Sequence, residues 1–264
     1  MLRRGFDTVF SACCEIGDLR QSNQDRVLAH CGQVGKMRLG LFLVADGCGG
    51  MAHGEKISQL IVDSFQRLWE GELAALVSKS QKPETQLSTS VCKWLDQINL
   101  AAYNFGRQVG ARVGSTLALL LTLNRDYYIF SVGDSRVYLK RKGQVHQLSE
   151  DQSRVADMLR NGEISPEDAI NYPKRNVLTM CVGGFEQIRV FQKSGRLRKD
   201  DIFLLCSDGL YEGLGKSLED FFPDSVDSES ARRLRCRIAP GKAADNISAI
   251  LIQILPRQVR SNDT

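Results

Sequence analysis

The amino-acid sequence predicts an α+β fold, a sheet sandwich with helices packed outside it. Apolar and β-branched residues recur in short runs typical of strands along much of the chain. Two long segments instead repeat their apolar residues at helical spacing, and both stand between two groups of strands. Because strands and helices are grouped and do not alternate, layered sheets are favoured over βαβ units.

The predicted strands are short, and those that are continuously apolar are expected to be covered on both faces. The first group comprises Thr8–Cys14, Arg26–His30, Arg38–Ala45, Ser115–Leu123, Tyr127–Val132, Arg136–Lys140 and Val145–Leu148. The second group comprises Val177–Val182, Ile188–Gln192, Asp201–Cys206 and Ile247–Ile254.

Amphipathic helices are predicted at Gly54–Glu70 and Leu87–Gln108, where an apolar stripe lies on one face of each. The polar stretch Ser78–Thr85 supplies the turn between them. Two short helices, Asp151–Asn161 and Pro166–Ile170, are predicted in a charged insert, which is a candidate lid.

The composition is that of an ordinary globular protein, with 42% hydrophobic and 25% charged residues in 264. We expect one domain spanning residues 1–264. The net charge is only +4 and basic residues are spread along the chain, which argues against nucleic-acid binding. The run Arg232–Arg237 is interpreted as a solvated helix face.

The apolar runs and the cysteines indicate the cellular compartment in which the protein is expected. The longest apolar stretches, such as Leu41–Ala45, are far shorter than the roughly 20 residues that span a bilayer, so no membrane span is expected. The first residues lack the sustained apolar run of a signal peptide, and a cytoplasmic location is expected. The eight cysteines form no C-x-x-C pair, which favours buried thiols in a reducing compartment.

Aspartates mark the ends of several predicted strands. Asp46, Asp134 and Asp208 stand beside glycines where apolar runs end. Asp245 precedes the last strand, and Asp25 opens the second one. Each of these aspartates, taken alone, is also typical of a turn. If they converge, the carboxylates repel one another unless cations neutralise them, so the set predicts hard ions such as magnesium or manganese.

A pair of such ions has a known chemical use. Two ions about 3.5–4 Å apart activate a shared water and aim it at a phosphorus atom, so no nucleophilic side chain is required. Arg20, five residues before Asp25, is a candidate guanidinium fork for the phosphate oxygens. The prediction is therefore metal-assisted hydrolysis of a phosphate ester.

Six short segments carry a more specific signal: Arg20–Asp25, Val44–Glu55, Gly114–Leu117, Val132–Arg136, Leu205–Leu210 and Asp245–Ile247. In residues and in order they resemble the motifs of the PPM family of metal-dependent phosphatases, also called the PP2C-like family, and most closely its bacterial branch. The resemblance covers nearly the whole chain. One such motif is weak evidence, whereas six in order are highly specific.

The resemblance implies a central antiparallel β-sandwich flanked by helices, in four α-β-β-α layers, with two Mn²⁺ or Mg²⁺ ions in a cleft at one end. Asp46 would bridge both ions, and the carbonyl of Gly47 would bind one of them. Asp208 and Asp245 would bind the other.

It also implies that Asp25 orients water on the ions and that Arg20 holds the substrate phosphate. Asp134, with Asp208, would form a weaker third metal site. The insert Glu150–Gly184 corresponds to a flap that affects substrate choice. The implied reaction removes phosphate from serine and threonine of proteins, opposite a bacterial Ser/Thr kinase, and we expect a monomer.

Some positions depart from the family pattern. Gln24 stands where relatives often carry glutamate, and Cys48 stands where they carry histidine or methionine. Gln152 and Tyr172 each stand where a histidine is frequent, and Met180 replaces an arginine. We expect these changes to bear on substrate docking more than on metal chemistry.

Three alternatives remain open. Cys14 and Arg20 have the C-x5-R spacing of cysteine-dependent phosphatases, but Glu15 and Asp18 would repel a phosphate there. A binding module without metals would have little reason to keep clustered carboxylates. A phosphodiesterase or nucleotide hydrolase would use the same metal pair.

Overall fold

The computed structural model describes residues 6–79, 83–170, 172–173 and 175–257. Its strands form two five-stranded sheets, and all named strand pairs are antiparallel. In the first sheet the order is β1 (Phe6–Glu15), β10 (Ile247–Pro256), β9 (Ile202–Cys206), β6 (Arg136–Arg141) and β7 (Gln144–Gln147). In the second it is β2 (Asp25–Val34), β3 (Met37–Asp46), β4 (Leu117–Leu123), β5 (Asp126–Val132) and β8 (Phe191–Arg196).

Helices cover the outer face of each sheet. Apolar residues of α1 (Gly54–Glu70), α2 (Glu72–Lys79) and α3 (Pro83–Val109) share a core with the second sheet. The first sheet shares another core with α6 (Asp208–Leu214), a 3-10 helix (Gly215–Phe221) and α7 (Ser230–Arg235). The short helices α4 (Arg154–Arg160) and α5 (Pro166–Ile170) lie in the insert between β7 and β8.

Strand alternation explains how one strand serves two cores. In β4 every residue is buried. Leu119 packs with the helices, whereas the next residue, Leu120, packs with Phe203 between the sheets. Successive side chains of a strand point to opposite faces, so a run of leucines contributes to both layers. The prediction of a helix-flanked antiparallel sandwich is confirmed.

Two predicted strands are wrong. Within Val177–Val182 the backbone forms only isolated bridges, Ser153 to Leu178 and Ser115 to Val182. The Ile188–Gln192 prediction is displaced, because the strand that pairs with β5 is Phe191–Arg196. Apolar residues of this stretch pack on the core without extended pairing, so their hydrophobicity reflects burial alone.

Some helices were not predicted. The helices α2 and α6 are eight residues or fewer, too short to show two full apolar repeats. The turn predicted at Ser78–Thr85 lies partly outside the described residues. In α7, Arg232 is exposed as expected, but Arg235 is half-buried and forms an ion pair with Glu15 at 2.7 Å.

Among the described helices, none is long and apolar enough to cross a membrane.

Candidate active site

Asp25 and Asp46 lie side by side at one end of the sandwich. Asp25 begins β2, Asp46 ends β3, and the two residues are opposite each other in the antiparallel register. The backbone of Asp46 is tied to Thr116, whose Oγ1 accepts its N–H at 3.1 Å and whose N–H donates to its carbonyl at 2.8 Å. Paired strand ends therefore hold both carboxylates in place.

Three further aspartates reach the same end of the molecule. Asp134 follows β5, Asp208 begins α6 directly after β9, and Asp245 stands two residues before β10. Together with Asp46 and Arg20 they line one cavity of about 310 Å³. The structure thus brings together residues that lie up to 225 positions apart in the chain.

Burial and mutual repulsion raise the pKa of Asp25, Asp46, Asp134 and Asp208. Burial contributes most to the raised pKa of Asp46, and the charges of Asp25 and Asp208 follow. Burial likewise raises the pKa of Asp208, with repulsion from Asp134 next. The pKa of Asp25 rises to about 6 and that of Asp134 to about 7, again chiefly because they are buried. Ionising all of them together requires compensating positive charge.

The donor set fits hard divalent cations. Oδ2 of Asp25 accepts a hydrogen bond from Ser207 at 2.8 Å, but its Oδ1 is buried and has no hydrogen-bond partner in the part of the chain that the structure describes. Within the same residues, Oδ1 of Asp208 is also buried without a partner. Buried carboxylate oxygens without partners are costly, and Mg²⁺ or Mn²⁺ prefers such ligands.

Asp245 is held by Arg20. The guanidinium donates from Nε to Oδ1 at 2.7 Å and from Nη2 to Oδ2 at 2.5 Å. In this arrangement, no three acidic, histidine or cysteine side chains within the described ranges are grouped closely enough to hold an ion, so cation binding requires the carboxylates to move closer together. The pair is partly exposed, with 44% and 34% of the two side chains accessible, and such pairs contribute only about 0–1 kcal/mol. Its opening would free Asp245 for a cation and Arg20 for an anion.

Gly47 sits where two backbone segments touch. A Cβ atom on it would lie 2.5 Å from the carbonyl carbon of Gly54 and 2.9 Å from the carbonyl oxygen of Gln24. Its own N–H donates to that Gln24 oxygen at 3.2 Å. The absence of a side chain is therefore required for the loop after Asp46 to pack against the start of α1.

Asn246 has a structural role that the sequence patterns do not indicate. Its buried amide donates to the carbonyls of Ile16 at 2.8 Å and Ser22 at 3.0 Å, and its oxygen accepts the N–H of Gln24 at 2.8 Å. These bonds fasten the loop that carries Arg20 to the start of β10. The available signal was its place next to Asp245 in a motif segment. Arg112 and Asn176 also line the cavity, and no sequence pattern marks them.

The structure shows the contacts of two residues that depart from the family pattern, Gln152 and Met180. Gln152 is 2% exposed, accepts the N–H of Gly133 at 2.9 Å and donates to the carbonyl of Arg189 at 2.7 Å. It supports the turn before Asp134 from the insert, which is a different task from substrate docking. Met180 packs against the core under the helices.

The thiol of Cys14 is poorly placed for nucleophilic chemistry. It contacts the carbonyl of Asp25 at 3.5 Å and the amide of Asn23 at 3.3 Å, and it does not line the cavity. Burial raises its pKa, whereas a nucleophilic cysteine needs a lowered one. The C-x5-R interpretation is not supported by this geometry.

The insert borders the cleft. A second cavity of about 410 Å³ lies between α4, α5 and α6 and shares Asp134 and Asn176 with the first. On its wall, Arg136 lies 3.7 Å from the ring centroid of Tyr211 and pairs with Asp151 at 2.7 Å. The two cavities therefore adjoin along the insert.

Comparisons with known proteins agree with this geometry. The serine/threonine phosphatase stp of Listeria welshimeri is 32% identical over 215 residues, which make up 81% of this chain and 84% of that protein. PppA, a key regulatory component of T6SS in Pseudomonas aeruginosa, superposes with a TM-score of 0.80 at 29% identity, over 96% of this chain and 100% of that one.

A third comparison concerns metal. The catalytic domain of the serine threonine protein phosphatase PstP, solved in complex with two manganese ions, has a TM-score of 0.77 at 25% identity, over 95% of this chain and 99% of that one. Residues 19–241 match the family described as Protein phosphatase 2C. With its cleft of buried aspartates and its helix-flanked sandwich, the chain belongs to the protein phosphatase 2C family.

Proposed function

We propose that this chain hydrolyses phosphoserine and phosphothreonine in proteins, with two divalent cations, manganese or magnesium, as cofactors. One observation carries the proposal: Asp46, Asp134, Asp208 and Asp245 line a single cavity with Arg20. An acidic cavity that also contains a guanidinium is suited to an anionic substrate only when cations are present.

The proposed ligands are Asp46, the carbonyl of Gly47, Asp208 and Asp245, with Asp134 and Asp208 at a weaker third site. When bound, such cations neutralise the carboxylates and supply an acidified water for attack on phosphorus. The buried Oδ1 of Asp208, which has no hydrogen-bond partner among the described residues, supports this assignment.

Arg20 binds the phosphate in this proposal. Its side chain is partly exposed at the cavity, and a planar fork of N–H donors matches two phosphate oxygens. Asp25 orients the attacking water and holds a proton at Oδ1. That oxygen has no hydrogen-bond partner among the described residues, and the pKa of about 6 is near enough to neutral pH for the group to take up and release a proton.

We also propose phosphorylated proteins as substrates, a bacterial Ser/Thr kinase as the opposing enzyme, a cytoplasmic location and a monomeric state. The adjoining cavity beneath the insert offers room for residues next to the phosphorylated one. The names of the curated relatives support the substrate class.

The test is hydrolysis of a phosphothreonine peptide with manganese, with excess chelator, and by an Asp208→Asn variant. We expect chelator to abolish hydrolysis and the variant to lose at least about a hundredfold in kcat/KM, the loss typical when transition-state charge goes unstabilised. Asp224→Asn is the matched control, because that carboxylate is fully exposed and pairs with Lys140 outside the cavity.

The other outcomes would contradict particular parts of the proposal. Hydrolysis that continues in excess chelator would mean that divalent cations are not required. Preference for nucleotides over the peptide would identify a nucleotide hydrolase, and an inactive wild-type protein would favour a binding module.

A further inference from the structure

Three sulfur atoms meet at Gly114, on the wall of the cleft. A Cβ atom on this glycine would lie 2.8 Å from Sγ of Cys181, 2.9 Å from Sδ of Met51 and 3.2 Å from Sγ of Cys48. Cys48 and Met51 belong to the loop after Gly47, and Cys181 lies near the end of the insert. Because Gly114 has no side chain, the three sulfurs share the space beside it.

The backbone fixes each of the three residues. The N–H of Cys48 donates to the carbonyl of Gly114 at 3.0 Å, and that of Met51 donates to the carbonyl of Cys48 at 2.9 Å. Next to Cys181, Val182 exchanges two hydrogen bonds with Ser115, at 3.0 and 2.9 Å. A preformed arrangement of this kind reduces the cost of binding a ligand.

Cys48 and Cys181 are both free thiols. Gly47 and Val182 bridge to Ser115 from its two sides, so the segments that carry the two cysteines flank the segment of Gly114. Their Sγ atoms both lie within 3.2 Å of one point beside Gly114, so a single ion placed between them is within reach of both.

We propose that Cys48, Cys181 and Met51 form a site for a soft monovalent cation, Cu(I). Two thiolates and one thioether are soft donors that select Cu(I), whereas the carboxylates of the same cleft select hard ions. Binding is not a redox step: the two thiols release two protons, and Cu(I) remains Cu(I).

The cavity provides the entry path. Cys48 and Met51 both line the cavity of about 310 Å³, while Cys181 is fully buried behind them. An ion that enters the cleft therefore contacts the sulfurs of Cys48 and Met51 first, and Cys181 then binds it from the buried side.

The experiment is anaerobic titration of the reduced, chelator-washed full chain with Cu(I) in competition with bicinchoninate. We expect the wild-type protein to take one equivalent from the dye, and Cys181→Ser to bind at least tenfold more weakly. Met51→Leu keeps the side-chain volume and removes only the sulfur, so it should weaken binding by a smaller factor.

The matched control is a double variant, Cys31→Ser with Cys236→Ser, which removes two exposed thiols away from the site and should bind like the wild type. Circular dichroism and manganese-supported hydrolysis of a small phosphate ester check that Cys181→Ser is folded. The proposal is overturned if the wild type takes no Cu(I) from the dye, or if a folded Cys181→Ser takes as much.

Discussion

At the scale of single residues, the cleft is governed by carboxyl groups that burial keeps from ionising easily. Asp25 is fully buried; one of its oxygens accepts a hydrogen bond from Ser207, and the other has no partner among the residues that the structure describes. Asp46, directly opposite in the strand pair, adds a second buried acid. The cost of ionising such neighbours is the reason why cations and protons should compete for the same oxygens.

This competition predicts an unusual dependence of stability on pH. The folded state raises the pKa of Asp25 from its ordinary 3.8 to about 6, so the folded chain holds this proton more tightly than the unfolded chain. Stability from this group is therefore fully present below pH 3.8 and is lost as pH rises through about 6. We expect the chelator-treated protein to lose thermal stability across this interval, as measured by its Tm.

Saturating manganese should reverse the trend, because the cation binds the ionised carboxylates. The variant Asp25→Asn removes the titrating group, so the Tm of the chelator-treated variant should fall less over the same pH interval. A fall in Tm of the same size in the wild type and in the variant would contradict this account.

At the scale of elements, the loop between β1 and β2 is the part of the site that needs the most support. It carries Arg20 and is tied to the segment before β10 at both ends. Asp18 donates its N–H to the carbonyl of Ala243 at 2.7 Å, and Asn246 makes the bonds to Ile16, Ser22 and Gln24. The loop has no helix or strand of its own, so this backbone bond and the side-chain bonds of Asn246 position it.

We expect Asn246→Ala to destabilise the protein by about 2–3 kcal/mol, because each lost bond contributes roughly 0.5–1.5 kcal/mol and buried partners are left unpaired. Hydrolysis should fall as well, since the loosened loop carries Arg20 and leads directly into Asp25. Urea unfolding and phosphopeptide kinetics measure the two effects. Asn161→Ala is the control, because Asn161 makes an exposed bond to Glu163, and both quantities should stay near wild type.

At the scale of the whole molecule, the face between the two sheets holds the cleft residues in register. Phe203 of the first sheet is fully buried there, and its ring lies 5.2 Å from that of Tyr127 on the second sheet. Asp25 and Asp46 belong to the second sheet, whereas Asp208 and Asp245 adjoin strands of the first. The packing of one sheet on the other therefore sets the distances between the carboxylates.

Phe203→Ala should cost about 3–5 kcal/mol of unfolding free energy, the usual cost of a large cavity in a core. Phe10→Ala is a matched comparison, since Phe10 is 36% exposed and packs edge-on against Phe42; we expect about 1 kcal/mol. Chemical denaturation measures both. Equal costs for the two variants would argue against a dominant core between the sheets.

The fold class and the candidate residues could be predicted from the order of residues, because both depend on local patterns. Strand runs such as Leu117–Leu123 and the stripe of α1 are periodic, and aspartates at strand ends are visible directly in the chain. The pattern failed at Val177–Val182, where apolar residues are buried without forming a strand.

Which distant groups meet could be learned only from the packed chain. Arg20 pairs with Asp245 across 225 positions, Asn246 anchors a loop from the start of the chain, and three sulfurs from separate segments converge on Gly114. Periodicity reports which face of an element is buried, but it contains no information about which loop the returning chain places beside it. The packing of the two sheets determines which loops lie side by side, and therefore determines the geometry of the cleft.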